Sequence, residues 1–474
     1  MQMDRDQVRK IVEEVLKRVG GGGAPEAPAT PVGKDGVFQR IDDAVEAAGR
    51  AYKKWRDMSQ EQKCNCVEAM RAVSLKHAQE MADMAYQETG LGRPEDKVRK
   101  NMLQAKKTPG PEDLQPRVIT GDRGLTLFEP TGFGVICSIT PTTNPVATII
   151  NNSISMVSGG NAVVFNPHPR AKKCSTRMMV LLNQAIVSAG GPENLLCCIT
   201  EPTLETSQAL MVHPGIRCLV VTGGPHVVRQ AMMSGKKAIA AGPGNPPVVI
   251  DETANLVQAA RDVVAGSSFD NNIMCTCEKE VFIVESVYRE FREKLARNPV
   301  YELTPRQLDE LTKIIFQAPA VGKTKMTLNS ALVGLNACDI AKTIGLDLTR
   351  DIRLLVAEVP EDHPLVMQEQ MMPVLPLVRV RDVEEAINLA LKAEGDRYHT
   401  AVMHSHNVHN LSTMAKLCNA NIFVKNGPNF AGLGFGGEGF TTMTIAGTTG
   451  EGCTTARSFT RERRCSLIDH FRIV

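Results

Sequence analysis

The spacing of apolar residues at the start of the chain predicts a short amphipathic helix followed by a linker. Asp4 and Gln7 have the spacing of a capping box, which marks the start of a helix. Apolar side chains then recur three or four positions apart on one helical face: Val8, Ile11, Val12, Val15, Leu16 and Val19. The next segment, GGGGAPEAPATPVGKDG, has the composition of a flexible linker. We therefore predict a helix within residues 1–20 and a linker over residues 21–36.

The apolar face of this helix needs a partner, because an isolated helix of about 16 residues is marginal in water. Two interpretations of residues 4–19 are open. The helix docks on its own protein or at an oligomer interface, or it is an address tag that binds another protein. The linker alone favours neither interpretation.

Beyond the linker, the pattern changes from helices alone to strands that alternate with helices. Residues 41–107 have mainly helical spacing of apolar positions, whereas short runs rich in Val, Ile and Leu follow from residue 133. Strands are predicted at residues 133–139, 162–165, 217–222, 246–251, 281–286, 353–359, 375–380, 400–405 and 421–426. Such alternation is typical of parallel, doubly wound sheets. It predicts two α/β units that meet near residues 242–247.

Two strand-like segments lie outside the alternating series. They are VITGDRGLTLFEP at residues 118–130 and CSLIDHFRIV at residues 465–474. We expect them to pair with each other or with the sheet edge of another subunit, since an unpaired edge strand is a template for pairing.

Composition and charge exclude several function classes. The chain has 474 residues and a net charge of +2, so no overall basic field favours nucleic acid as a partner. No run of about 18 apolar residues predicts a membrane-spanning helix. The first twenty residues carry charges throughout and lack the apolar core of a secretory signal, so a cytoplasmic protein is expected.

The 13 cysteines form no recognisable disulfide framework, and most are expected to be small core residues. Zinc is a weak alternative. The pairs Cys64/Cys66 and Cys275/Cys277 have one residue between them, whereas structural zinc sites usually have two to four. We expect no metal site.

Cys275 is the candidate nucleophile, because it lies in a polar, Asn-rich loop just before a predicted strand. Cys277 competes for this role on local grounds. Asn144, in ITPTTNP, follows a strand and precedes a helix, where its amide can donate to an oxyanion or simply cap the helix. Gly223 and Gly224, in VTGGP, suit either phosphate binding at a helix start or a tight turn.

Taken together, the ordered motifs resemble the aldehyde dehydrogenase superfamily, and most closely the CoA-acylating aldehyde dehydrogenases of bacterial microcompartments. The resemblance runs from about residue 37 to the C-terminus. The motifs are ITPTTNP, INNSISM, NPHPRAKK, VTGGP, AGPGNPPVVIDETA, SFDNN, EQMMPVLP, HTAVMHS and IFVKNGPNFAGLG. The implied fold class is α/β and aldehyde dehydrogenase-like, with two doubly wound domains and a small β oligomerisation element.

The resemblance also implies domain boundaries. Residues 37–117 and 134–243 would bind NAD and coenzyme A, and residues 244–445 would carry the catalytic cysteine. Residues 118–133 and 455–474 would form oligomerisation strands, in a homo-oligomer that is a dimer or tetramer.

Site residues follow from the same resemblance. Cys275, rather than Cys277, corresponds to the nucleophile, and Asn144 corresponds to the side-chain oxyanion donor. His399 either accepts the proton of the CoA thiol or is a structural polar residue. The residues placed near the cofactor are Thr140, Pro141, Asn166, Pro167, Gly223, Gly224, Glu369 and Pro373.

Two departures from the hydrolytic branch of the family distinguish this chain. The glutamate that activates water in that branch corresponds to Ala241, and no carboxylate lies between Ala238 and Ile250. A lysine that reaches the adenosine ribose corresponds to Asn166. The CoA-acylating members share both changes. Water needs a general base to attack a thioester, whereas a thiol is already partly ionised at neutral pH, so coenzyme A is the expected acceptor.

The expected reaction is therefore oxidation of propionaldehyde or acetaldehyde by NAD+ and CoA. The alternatives are a hydrolytic aldehyde dehydrogenase, a non-catalytic cargo or scaffold protein, and a zinc-binding module. The N-terminal helix resembles an encapsulation peptide, which implies binding of shell or cargo proteins through residues 4–19. The implied location is a microcompartment in the bacterial cytoplasm.

Overall fold

The computed structural model describes residue 33, residues 35–317 and residues 326–473, so the predicted helix at residues 4–19 lies outside the described part. The chain divides into two compact units. The first unit contains the described residues up to Ala85, then Val98–Gly242 and the residues from Phe440 onwards. The second unit contains Tyr86–Lys97 and Pro243–Gly439.

The strands are short and are spread along the chain. They are β1 (Val37–Phe38), β2 (Arg117–Gly121), β3 (Gly124–Gly132), β4 (Val135–Thr140), β5 (Ala162–Pro167), β6 (Leu196–Ile199), β7 (Cys218–Thr222), β8 (Lys237–Ala241), β9 (Pro247–Ile250), β10 (Glu280–Val284), β11 (Val300–Glu302), β12 (Phe316–Gln317), β13 (Thr327–Leu328), β14 (Leu354–Glu358), β15 (Val374–Val380), β16 (Thr400–His404), β17 (Ile422–Lys425), β18 (Ile445–Ala446), β19 (Gly452–Cys453) and β20 (Thr460–Ile468).

The α-helices fill the intervals. They are α1 (Ile41–Asp57), α2 (Gln60–Lys76), α3 (Ala78–Thr89), α4 (Pro94–Lys107), α5 (Pro145–Ser158), α6 (Lys172–Ser188), α7 (Leu204–Val212), α8 (Pro225–Met233), α9 (Leu256–Ser268), α10 (Glu285–Leu295), α11 (Pro305–Ile315), α12 (Ala337–Lys342), α13 (Pro364–Met367), α14 (Val383–Glu394) and α15 (Val408–Cys418).

The first unit is built on a six-stranded parallel sheet with the order β1-β6-β5-β4-β7-β8. The expected strands at residues 133–139, 162–165 and 217–222 correspond to β4, β5 and β7. All residues of β4 and β5 are buried, because helices cover both faces of a parallel sheet and its strands therefore need continuous apolar runs. β1, β6 and β8 were not anticipated.

The first unit also contains a three-stranded antiparallel sheet with the order β2-β3-β20. β3 pairs with β20 over its full length, from Gly124 opposite Ile468 to Gly132 opposite Thr460. The expected pairing of the two outlying segments is confirmed, although the second strand begins earlier than the sequence suggested. β2 and β20 are exposed along most of their length.

The second unit is built on a seven-stranded parallel sheet with the order β11-β14-β15-β10-β9-β16-β17. The six strands predicted beyond residue 245 correspond to β9, β10, β14, β15, β16 and β17. Because all strands run in one direction, the loops that precede them meet at one edge of this sheet.

Most cysteines are core residues, as expected: nine of the thirteen are buried. Burial raises the pKa of the Cys137, Cys198 and Cys218 thiols to about 12, so they remain protonated at neutral pH. No helix within the described ranges is long and apolar enough to cross a membrane.

Candidate active site

In the first unit, the candidate cofactor residues lie at the carboxyl ends of adjacent parallel strands. β4 ends at Thr140, β5 at Pro167 and β7 at Thr222. The chain passes from β4 to β5 on one side and later to β7 on the other, so β4 is the topological switch point of the sheet. Ligands of doubly wound sheets bind in the crevice outside such a point.

This edge has the polar groups and the space that a nucleotide needs. The hydroxyl oxygens of Thr140, Thr142 and Thr222 are buried and have no hydrogen-bond partner among the described residues. A methyl group added at Gly223 or Gly224 would meet nothing within 4 Å. Gly224 is also the N-cap of α8, where backbone N–H groups favour an anion. The residues present therefore fit a dinucleotide or CoA phosphate.

Asn166 reaches this edge but its side chain is occupied. Its amide nitrogen donates to the Ser207 hydroxyl at 2.7 Å, and its amide oxygen accepts from the Thr206 hydroxyl at 2.8 Å. Both partners lie in the first turn of α7. The side chain thus ties β5 to α7, and its polar atoms are engaged within the protein.

Asn144 is the N-cap residue of α5, but its side chain makes no capping hydrogen bond. Instead, the Asn144 amide oxygen accepts a 2.5 Å hydrogen bond from the Lys100 ammonium group. The amide nitrogen is directed the other way and donates to the Thr143 hydroxyl at 3.3 Å. The structure therefore excludes the simple helix-cap interpretation, and it presents the nitrogen as a hydrogen-bond donor.

In the second unit, Cys275 lies in a loop of unusual backbone geometry, which we call the cysteine loop (residues 269–279). Asp270, Asn271 and Asn272 have φ angles of 47°, 54° and 63°. Three successive left-handed residues other than glycine are costly, and such strain persists only where surrounding contacts enforce it. Cys275 is partly exposed whereas Cys277 is fully buried. Of these two cysteines, Cys275 is therefore the one that solvent reaches.

The contacts that enforce this backbone are made by the loop's own amides and carboxylate. The Asn271 amide nitrogen donates to the Gly334 carbonyl at 2.9 Å, and that of Asn272 donates to the Ser267 carbonyl at 2.7 Å and the Glu278 carbonyl at 2.8 Å. Asp270 accepts hydrogen bonds from the Arg93 backbone and from Lys97. Asparagine suits this loop for two reasons. Its backbone tolerates the left-handed region, and its side-chain amide supplies hydrogen-bond donors.

Lys279 is a fully buried cation that further ties the cysteine loop together. Its ammonium group donates to the Asn272 carbonyl at 2.9 Å, to the Asn272 side-chain oxygen and to the Met274 carbonyl at 3.2 Å. Burial lowers the pKa of His399, and the positive charge of Lys279 adds to that shift; burial raises the pKa of Glu369, and the same charge partly opposes it. Lys279 was not predicted, although three charged residues at the entry to an apolar strand, EKEVFIV, were a signal for it.

Gly244 is the point at which three candidate residues of the second unit converge. A methyl group added at Gly244 would lie 2.4 Å from the Cys275 carbonyl oxygen and 3.1 Å from Cγ of His399. The Gly244 backbone also hydrogen-bonds the Glu369 carboxylate. The structure therefore brings Cys275, His399 and Glu369 around one glycine. Pro373, directly before β15, belongs to the same edge of the sheet.

His399 is buried, and its ring is neutral at physiological pH. Burial lowers its pKa to about 4, and the charges of Lys279 and Arg397 act in the same direction. Nδ1 lies 2.9 Å from the Thr400 hydroxyl, whereas Nε2 has no hydrogen-bond partner among the described residues. A buried imidazole nitrogen without a partner is available to a substrate atom.

Comparison with known proteins identifies the family. The model of the aldehyde dehydrogenase family matches residues 34–444. The chain belongs to the aldehyde dehydrogenase family. The resemblance inferred from the ordered motifs and the expected fold class are both confirmed.

Relatives in this family match the chain over almost its whole length. It is 49% identical over 473 residues to an acetaldehyde dehydrogenase (acetylating), EutE, of Salmonella typhimurium, and the match covers 100% of both proteins. It is 47% identical to a Rhodopseudomonas palustris propionaldehyde dehydrogenase whose crystal structure holds CoA and an acylated cysteine, with a TM-score of 0.89 over 92% of this chain and 99% of that one. A propionaldehyde dehydrogenase from a Clostridium phytofermentans fucose-utilisation microcompartment is 43% identical, with a TM-score of 0.90 over 93% of this chain and 100% of that one.

Proposed function

We propose that this protein is a CoA-acylating aldehyde dehydrogenase that converts acetaldehyde or propionaldehyde, with NAD+ and CoA, to the acyl-CoA. One observation carries the proposal: partly exposed Cys275 and neutral His399 flank Gly244 in a preorganised loop region. The relatives, which act on acetaldehyde and propionaldehyde, support the substrate class.

In the first half-reaction, the Cys275 thiolate attacks the aldehyde carbon, and the carbonyl oxygen becomes an oxyanion. The family resemblance assigns the Asn144 amide nitrogen and the Cys275 backbone N–H as its donors. NAD+, when bound, would accept the hydride released as the C–H bond of this adduct breaks and the oxyanion re-forms the carbonyl. An acyl thioester then remains on Cys275.

In the second half-reaction, the acyl group passes to coenzyme A. The thiol gives its proton to Nε2 of His399, the sulfur attacks the acyl carbon, and the Cys275 thiolate leaves. A neutral imidazole can accept this proton, whereas a protonated one cannot; because burial lowers the pKa of His399 to about 4, it acts as a weak base that holds the proton only briefly. Ala241, at the end of β8, is buried and supplies no base for water, which disfavours hydrolysis.

The place of the remaining residues in the fold supports the cofactor roles that the family resemblance implies. The loops after β4, β5 and β7, with Thr140, Pro141, Pro167 and the Gly223–Gly224 pair, would hold phosphates and the nucleoside. Glu369, beside Pro373, would bind the nicotinamide ribose through its carboxylate. Nucleotide binding is accordingly proposed for residues 37–117 and 134–243 and catalysis for residues 244–445, with Tyr86–Lys97 lying in the second unit.

We also propose that the chain forms a homo-oligomer through residues 118–133 and 455–474. Val118, Ile119 and Ile468 on this antiparallel sheet are half exposed or more, and a second subunit would cover them. Residues 1–20 are proposed to direct the enzyme into a bacterial microcompartment, a context supported by the related fucose-utilisation enzyme. Deleting residues 1–20 should abolish encapsulation and leave turnover unchanged.

The decisive experiment measures NADH formation from propionaldehyde and NAD+ with and without CoA. Sustained turnover only with CoA, lost in Cys275→Ala but retained in Cys277→Ala, is expected. Equal turnover without CoA would mean that water completes the reaction. A residue elsewhere in the chain would then have to act as the base that activates this water. No turnover under either condition, in protein that still binds NAD+, would favour a cargo or scaffold role.

A further inference from the structure

Helix α4 carries a buried row of polar side chains in the first unit, and none of them has a role in the mechanism above. Lys100, Asn101 and Gln104 are all at most 3% exposed. Asn101 donates to the Ala78 carbonyl at 3.2 Å, and Gln104 donates to the Thr441 hydroxyl at 3.0 Å. These two contacts join α4 to Ala78 and to Thr441, and neither partner is a candidate site residue. Lys100 differs, because its ammonium group reaches Asn144.

We infer that Lys100 is a positioning residue that orients the Asn144 amide as an oxyanion donor. A lysine ammonium group has three donors and no acceptor, so only the oxygen of an amide can face it. The 2.5 Å contact therefore determines which end of the Asn144 side chain points away from α4, and that end is the NH2 group. Without Lys100, the amide could rotate by half a turn and present its oxygen to an oxyanion, which would repel it.

The backbone of Asn144 is held as firmly as its side chain. The Asn144 carbonyl accepts hydrogen bonds from the Thr148 backbone at 3.0 Å and from the Thr148 hydroxyl at 2.7 Å. Proline follows at residue 145, so no backbone N–H at the first helical position competes for the side chain. Rotation about the last side-chain bond of Asn144 remains free in this arrangement, and the hydrogen bond from Lys100 is what restricts it.

The positive charge has a second effect. A hydrogen bond from an ionised donor polarises the amide, which strengthens the N–H groups at its other end. Burial of Lys100 excludes water that would screen this effect. The role of Lys100 rests on the proposed function of Asn144, since a donor has to be oriented only if it donates.

A double-mutant cycle tests the inference. Lys100→Met is expected to lower kcat by about 10- to 100-fold, the range for losing a hydrogen bond to a charged group, with KM little changed. Asn144→Ala is expected to lower kcat by about 100- to 1,000-fold. If Lys100 acts through Asn144, the double variant should be no slower than Asn144→Ala alone.

The matched control is Gln104→Met, one helical turn away on the same buried face, and it should keep kcat within about threefold of wild type. Lys100→Gln retains an N–H donor and should recover part of the activity. This variant also tests the inference if Lys100→Met does not fold. Multiplicative losses in the cycle, or an equal loss in Gln104→Met, would overturn the inference and show a structural role. Full turnover in Asn144→Ala would instead refute the proposed oxyanion role itself.

Discussion

Gly244 separates the Cys275 carbonyl oxygen from the His399 ring, and no side chain larger than hydrogen fits between them. A methyl group there would lie 2.4 Å from the oxygen, which is closer than real Cβ contacts allow. The packing of the cysteine loop backbone beside the His399 ring therefore depends on the absence of a side chain at residue 244.

Gly244→Ala should lower kcat/KM by about 100-fold or more, because a displacement of about 1 Å in a reacting group has effects of that size. The measurement is steady-state NADH formation with CoA present. The matched control is Gly49→Ala on α1, where a methyl group would meet nothing within 4 Å and should be neutral or slightly stabilising. Wild-type turnover in Gly244→Ala would contradict the arrangement around this glycine.

Two buried histidines, one directly before β16 and one at its end, should make the protein sensitive to acid. His399 precedes the strand and His404 ends it, and burial lowers the pKa of each to about 4. The folded state then binds fewer protons than the unfolded state between about pH 6.5 and pH 4, so stability falls as pH falls through this range. Each histidine should contribute about 3 kcal/mol to this loss.

Replacement of either histidine by glutamine should reduce the loss of stability between pH 7 and pH 4, measured by urea unfolding. Turnover should separate the two variants. His399→Gln should slow acyl transfer to CoA, whereas His404→Gln should leave it intact. If both variants turn over equally, His399 is a structural polar residue.

Glu278 should act in the opposite direction. It is fully buried, and burial raises its pKa to about 7, although hydrogen bonds from Asn429 partly oppose that shift. The folded state binds more protons between about pH 4.5 and pH 7, so this contribution to stability is present at low pH and lost as pH rises through 7. Glu278→Gln should remove about 3 kcal/mol of that dependence, measured by urea unfolding at pH 5 and pH 8. An unchanged pH dependence would mean that Glu278 is ionised throughout.

Breaking the Lys97–Asp270 ion pair by removing one partner should cost more stability than breaking an exposed pair. The two side chains are 4% and 0% exposed and lie 3.1 Å apart. Lys97→Met should destabilise the protein by about 3–5 kcal/mol, because it removes the cation that faces the buried Asp270 carboxylate. Adding Asp270→Asn should recover part of the loss in the double variant.

The control for that experiment is Arg50→Met, which removes an exposed helical ion pair with Glu46. It should change the free energy of unfolding by less than about 1 kcal/mol. Equal effects of Lys97→Met and Arg50→Met would show that water reaches the buried pair. Loss of turnover in Lys97→Met without loss of stability would instead assign Lys97 to the chemistry.

Local patterns in the sequence were sufficient to find most of the sheet strands and the central motifs, but not β1, β6 and β8. β4 and β5 could be located because strands covered on both faces need unbroken apolar runs. Cys275 and Asn144 could be singled out because each lies in a short polar loop beside such a run. The choice between Cys275 and Cys277 could not be made from the residues alone, since the two differ only in burial.

By itself, then, the sequence determined the α/β architecture, the order of the strands along the chain and the family-like motifs, all of which depend on neighbouring residues. Only the tertiary structure decided the partners of those motifs. PEDKVRKNMLQAKK reads as a solvated helix, yet Lys100 and Gln104 within it are buried. Gly244 gives no local sign that it separates Cys275 from His399. The physical reason is that burial and contact depend on segments distant in the chain, whereas sequence patterns record only which residues are neighbours along it.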